Sequence, residues 1–394
     1  MYLTNSQTRE ILRDSLTVTT LTPGASAAAN TTLIVNAINA AIAAGGGDIV
    51  LDGSFPANKI WINNATYGTQ MNVTLRGATS DTPLTPSQQE PFFIINRGKG
   101  FHIRNLVMNC PTYTYAAHPN LNGIVNVIRL LGCQNFEVED VVGTKGYDTM
   151  YIGCGSDTSG GLDLPVEELD EPSINFVCKD TNISLAQNTG VYFGYYSEGH
   201  LFNFNSRFNE SLGIECNGGD IFYELGDLSG NANFGWATQS SSGRHYLRNV
   251  VANGSTGGGG FGVYSSGIVN VTRNVIFENC IAKRNFKSGI QIERVDAWPN
   301  PLDDILVINP ELRGNSQDPV TNWGNFQIGS VGVAQMVNRI AVVGGIMDGA
   351  GPKQVRENIA AYYADKLRLY KVKQIGASGA NIIDASVTNY QEFT

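Results

Sequence analysis

Three carboxylates stand close together in the chain: Glu198 in "YYSEGH", Glu215 in "LGIECNG" and Asp220 in "CNGGDIF". Residues of this kind break glycosidic bonds in pairs. The two carboxyls lie about 5 Å apart when configuration is retained and about 6.5–9.5 Å apart when it inverts, one protonated as acid and the other acting as base or nucleophile. Glu215 with Asp220 or Glu198 is the pairing the sequence offers, and each of the three taken singly also fits a solvated turn. Tyr151, Tyr192, Tyr264, Gln291, Gln327, Asn217, Gln239 and Glu293 recur around them in similar phrases. Aromatic rings stack on the apolar face of a pyranose and amides fork hydrogen bonds to its hydroxyls, although the same side chains pack equally well between subunits. A second acidic cluster, Glu293, Asp296, Asp303 and Asp304, surrounds Trp298, which is a candidate sugar platform or the anchor of an inserted loop. His200, in the turn after Glu198, is the candidate proton carrier; His245 and His102 fall in strands and read as structural.

These residues sit in a repeat. "DTMYIGC" (148–154), "TGVYFGY" (189–195), "LGIECNG" (212–218), "FGVYSSG" (261–267), "SGIQIER" (288–294) and "GNFQIGS" (324–330) share an apolar, polar, apolar alternation, with "FGWATQS" (234–240) a poorer seventh. Earlier strand-like runs such as "YLRNVVAN" (246–253) and "IFENCIAKRN" (276–285) end in Asn, and from Asn188 to Asn253 such residues fall 21 or 22 positions apart. A strand, a turn through Asn, a second strand and a longer return at this period predict one coil of a parallel β-solenoid. An Asn corner tolerates left-handed backbone angles and bonds to its counterpart on the next coil. Stacking then puts Tyr151, Tyr192, Glu215, Ala237, Tyr264, Gln291 and Gln327 in one outward column, with Asn217, Gln239 and Glu293 in the next. Glu215 and Glu293 share the face but stand three coils, about 14 Å, apart, too far to act as a pair.

The N-terminal stretch "NTTLIVNAINAAIAAGGGDIVLDGSF" (30–55) reads as a capped amphipathic helix, a glycine stop and a strand, with Ile34, Ile38 and Ile42 on the face that covers the first coil. This order resembles the start of the pectate-lyase-like right-handed β-helix family, which includes phage tailspikes and other polysaccharide depolymerases. The resemblance implies an all-β chain, a single-stranded right-handed parallel β-helix over 30–394 with an N-terminal capping helix, preceded by an extension at 1–29. It further implies a homotrimer on a virion, or otherwise an extracellular protein, that binds and hydrolyses a bacterial surface polysaccharide, with other virion proteins as partners. A non-catalytic receptor-binding or decoration protein and a polysaccharide lyase are the alternatives. Neither the "DPHE" of alginate epimerases nor the NTD and GHG motifs of polygalacturonases occurs, so no catalytic set carries over.

Composition agrees with a turn-rich solenoid: 45 of 394 residues are Gly and only 15% are charged. The net charge of −9 forms no basic stripe for nucleic acid, and no apolar run is long enough for a membrane span. The start, "MYLTNSQTRE", shows no secretory signal, which fits a route without one or its prior removal. The six cysteines follow no zinc pattern; buried apolar thiols at similar places in successive turns, or disulfides, both fit. The acidic run 156–172 lacks calcium-loop spacing, so no metal and no cofactor are expected.

Overall fold

The computed structural model describes residues 17–87, 91–111, 126–153, 171–194, 197–238, 243–265, 273–294, 302–318, 323–329, 337–350, 358–362, 364–377 and 379–393. Gln239, Trp298 and Asp296, singled out above, and Cys154, one of the six cysteines, lie outside them.

The alternating phrases form strands that pair in parallel from coil to coil. All seven stack in one sheet, as Met150–Gly153, Val191–Phe193, Ile214–Cys216, Trp236–Thr238, Phe261–Ser265, Ile290–Arg294 and Phe326–Ile328. The intervening segments, such as Ser197–Arg207, Ile221–Asp227 and His245–Val251, build a second, longer sheet that bends around the rest of each coil. Successive side chains of a strand point to opposite faces. Met150, Ile152, Val191, Phe193, Ile214, Val263, Ile290, Ile292, Phe326 and Ile328 accordingly point inward and are fully buried. His245 is buried with them, and burial pushes its imidazole down to about 4, so it stays neutral.

Two different sets of residues do the work expected of a single corner Asn. Left-handed angles fall at Asn203, Leu225, Asn249, Asn279 and Asn309, within or between the strands of the long sheet. The amide ladders lie elsewhere: Asn209 Nδ2 donates to Asn231 Oδ1 at 2.8 Å, and Asn285, Asn315, Asn325 and Asn358 form a chain of such bonds at 2.8–2.9 Å. These ladder residues keep ordinary backbone angles and are buried, where each amide satisfies its neighbour. The five described cysteines are buried free thiols, but not at one place in the coil. Cys178 shares a rung with Val138 and Leu201, whereas Cys216 lies between Phe193 and Thr238 in the other sheet.

Helix α1 (Ala27–Ala43) starts at Ser26, whose hydroxyl accepts from the Ala29 N–H, and buries Ile34 and Ile38 on the first coil. The strand Val18–Leu21 already pairs with Gly47–Leu51, so the stack begins ahead of residue 30. At the other end Gln391–Phe393 still pairs with Ala364–Tyr370. Among the described residues no helix is long and apolar enough to cross a membrane.

Candidate functional site

On the outward side of the sheet that carries the seven phrases, strand register aligns Arg129, Tyr151, Tyr192, Glu215, Ala237, Gly262, Gln291 and Gln327. Tyr264 is not in this column. It pairs with Glu293 one column over, because Gly262 is the residue opposite Ala237. The Tyr264 ring folds back over that glycine, where a Cβ would come within 2.4 Å of it. The wall is also less open than its polar column suggests: Tyr151, Gln291 and Gln327 are buried, while Tyr192, Glu215, Asn217, Tyr264 and Glu293 are half-buried.

Three successive coils concentrate the chemistry. The Tyr151 and Tyr192 rings stack at 5.2 Å and 8°, and the Arg129 guanidinium lies 5.3 Å from the Tyr151 ring. Gly153 and Gly194 make room for the first ring; a Cβ on either would approach Tyr151 atoms within 3 Å. On the next coil Asn217 donates to the Tyr192 hydroxyl, and the buried Asn217 Oδ1 has no hydrogen-bond partner among the described residues. Beside them Glu215 Oε2 accepts from Thr189 Oγ1 at 3.3 Å. Thr189 faces a second carboxyl as well: its N–H donates to Asp148 Oδ1 at 3.1 Å, and Asn188 Nδ2 donates to the same oxygen at 2.9 Å.

Burial raises the pKa of both acids. For Glu215, hydrogen bonds from Thr189 and Asn217 oppose the shift. Asp148, only 5% exposed, is pushed up to about 7 by burial, against its bonds from Thr189 and Asn188; the charge of Glu215 adds to the rise and Arg129 opposes it. An aromatic stack, an amide and a half-buried carboxyl with a second carboxyl behind it can hold a sugar ring and move a proton beside it.

The other carboxylates named from sequence lie elsewhere. Glu198 and Asp220 stand side by side in the register of the long sheet, next to Arg244. Glu198 is exposed; Asp220 accepts from the Arg244 backbone N–H and from its Nε, both at 2.8 Å. Partial burial acts upward on Asp220, but Arg244 outweighs it and holds the carboxyl below the usual range. His200 belongs to the strand Ser197–Arg207 rather than a turn, and stacks on Phe222 at 5.0 Å. His102, on the same sheet, lies 3.8 Å from Glu137.

The cluster expected around Trp298 is divided between walls. Asp303 and Asp304 pair with Arg339 at 3.3 and 2.5 Å, while Glu293 accepts from Gln291 Nε2 at 2.7 Å. Gln327 turns onto its own loop, accepting from the Gly324 N–H and donating to the Gly329 carbonyl. Among the described residues no group of acids, histidines and cysteines is arranged to hold a metal ion.

Asp148, Thr189 and Arg129 are the residues sequence reasoning did not select. The register extended back from Met150 puts Asp148 level with Thr189, Leu212, Phe234, Gly259, Ser288 and Gly324. It is the one acid at that place in the seven coils, and this was the available signal.

The whole winding can be compared with solved structures. The A-module of the Azotobacter vinelandii mannuronan C-5 epimerase AlgE4 superposes with a TM-score of 0.57 at 14% identity, over 92% of this chain and 95% of that one. PfbA, a surface adhesin of Streptococcus pneumoniae, gives 0.52 at 12% identity over 89% of each chain. The catalytic unit of an alpha-1,3-glucanase from Streptomyces thermodiastaticus gives 0.51 at 12% identity, over 92% of this chain and 66% of that one. This chain is a right-handed parallel β-helix. An epimerase, an adhesin and a glucanase share the winding, so fold alone selects no activity. No protein-family model matches the sequence, and no curated protein is detectably similar to it.

Proposed function

We propose that this β-helix binds a bacterial surface polysaccharide along the Tyr151–Tyr192–Glu215 wall and hydrolyses it there, with Glu215 as the carboxyl that meets the sugar. The observation that carries the reading is the tyrosine stack abutting a half-buried carboxyl that burial keeps easy to protonate. Tyr192 and Asn217 hold the ring, and Glu215 exchanges a proton with the glycosidic oxygen or with the attacking water. An ionised Glu215 repels another carboxylate, so the sugar beside it is neutral, and a lyase acting on uronates fits poorly. A virion location, a homotrimer and virion partners extend this reading through the resemblance of the N-terminal helix, glycine stop and strand to those of phage tailspikes.

Binding without cleavage is the second reading. It is favoured by the burial of Asp148, which keeps the second carboxyl back from the surface. The test is reducing-end release from a panel of purified capsular and O-antigen polysaccharides, with binding measured in parallel. Release supports the hydrolase, binding alone supports the adhesin, and unsaturated ends that absorb in the ultraviolet would support the lyase.

A further inference from the structure

Asp148 and Glu215 lie two coils apart, and Thr189 on the coil between them touches both, through its backbone N–H below and its hydroxyl above. A backbone N–H can only donate, so Asp148 Oδ1 must accept there whatever its protonation state. The hydroxyl in turn donates to a Glu215 oxygen. That arrangement suits an ionised Glu215, further held by Asn217, and leaves Asp148 Oδ2 as the place for a proton. The charged groups acting on Asp148 come from two strands of the same sheet: Arg129 on the adjacent Ile128–Leu131, which favours ionisation, and Glu215 on Ile214–Cys216, two coils away, which opposes it. Asn188 and Thr189 supply neutral donors. Two carboxylates ionised together in so buried a place would each lack most of their hydration.

We propose that Asp148 and Glu215 titrate as one unit joined by Thr189, holding a single proton between them in weakly acidic solution, so that Asp148 is the positioning residue that sets the charge state of Glu215. The proposal rests on Glu215 being the working carboxyl of the preceding section, but it concerns the protein without substrate. Acidification adds a second proton, to Glu215; alkali removes the one on Asp148. Any activity that depends on Glu215 then breaks at the Asp148 titration as well as at its own, which would not be so if Asp148 merely filled space.

The test is a titration of the whole protein labelled with carbon-13 at the Asp and Glu carboxyls, followed by NMR without glycan. The Asp148 signal is assigned by its loss in Asp148→Asn. In the wild type it should titrate near 7. Glu215→Gln, which removes the repelling charge, should lower that midpoint by about one unit. Thr189→Val keeps the N–H and removes the hydroxyl, so it should raise the Glu215 midpoint and serves as the second variant if the first does not fold. An Asp148 signal that titrates in the ordinary carboxylate range, or that stays put in Glu215→Gln, overturns the proposal. Because no glycan is present, that failure is separate from failure of the polysaccharide reading, which leaves these midpoints untouched.

Discussion

Two walls of this solenoid use carboxylates in opposite ways. On the long sheet acids lie within reach of cations: Lys179 reaches Glu137 at 2.7 Å, Arg104 reaches Glu139 at 2.7 Å, Arg244 grips Asp220, and Arg248 pairs with Glu224. The cations outweigh partial burial, and both Glu137 and Asp220 are held below the usual carboxylate range. On the sheet of Met150–Gly153, Val191–Phe193 and Ile214–Cys216, Asp148 and Glu215 are more deeply buried, lean on neutral donors and are both shifted up. The same backbone repeat thus yields an ion-pair ladder where acids meet bases, and carboxyls that are easier to protonate where acids meet amides, hydroxyls and rings.

That contrast fails most visibly if the wrong wall is catalytic. Glu215→Gln should cut the initial rate of reducing-end release by about 10²–10⁴-fold, whereas Asp220→Asn should change it by less than about threefold. The reverse order would move the site to the long sheet.

A stability measurement sharpens the difference next. Asp148 has a folded-state pKa of about 7, above the ordinary Asp value of about 3.9, so its contribution is whole below that ordinary value and is lost as pH rises through about 7. Asn cannot ionise and keeps what Asp148 loses. In urea unfolding, Asp148→Asn should therefore exceed the wild type by roughly 2–4 kcal/mol at about pH 9 and match it at about pH 4. An equal gap at both pH values would mean that Asp148 does not titrate as described.

Smaller effects separate the aromatic residues of the two walls. By calorimetry with a bound glycan, Tyr192→Ala should weaken affinity by about 1–2 kcal/mol, and Phe222→Ala, beside His200, should leave it unchanged. Smallest of all, Arg244→Ala removes the partner of Asp220 at a largely exposed place. It should shift the melting temperature by no more than about 2 °C, and less in high salt.

Much of the fold was legible because the inward residues are periodic. Met150, Val191, Ile214 and Ile290 each open an apolar, polar, apolar phrase, and the capped helix with Ile34 and Ile38 announces the covered end. Register was legible only where a phrase reads one way. "FGVYSSG" reads either with Gly262 leading Val263 or with Phe261 opening the alternation, and the first reading puts Tyr264 in the column that Gly262 occupies. Asparagine misled for a similar reason, since one residue type serves both the left-handed corner at Asn249 and the ladder at Asn209. Glu198 and Asp220 are near Glu215 in the chain, but the coil turns onto the next sheet between them and it, which chain distance does not record. Asp148 was hidden because its significance comes from Glu215, 67 positions later, through a threonine that looks unremarkable in sequence.

The most direct test of where this protein works is a crystal structure of Glu215→Gln with an oligosaccharide from a glycan the wild type binds. The account predicts a sugar ring against Tyr192, hydrogen-bonded to Asn217, with a glycosidic oxygen beside the side chain at position 215. A saccharide seated on the long sheet, beside Phe222 or the Asp220–Arg244 pair, would contradict it.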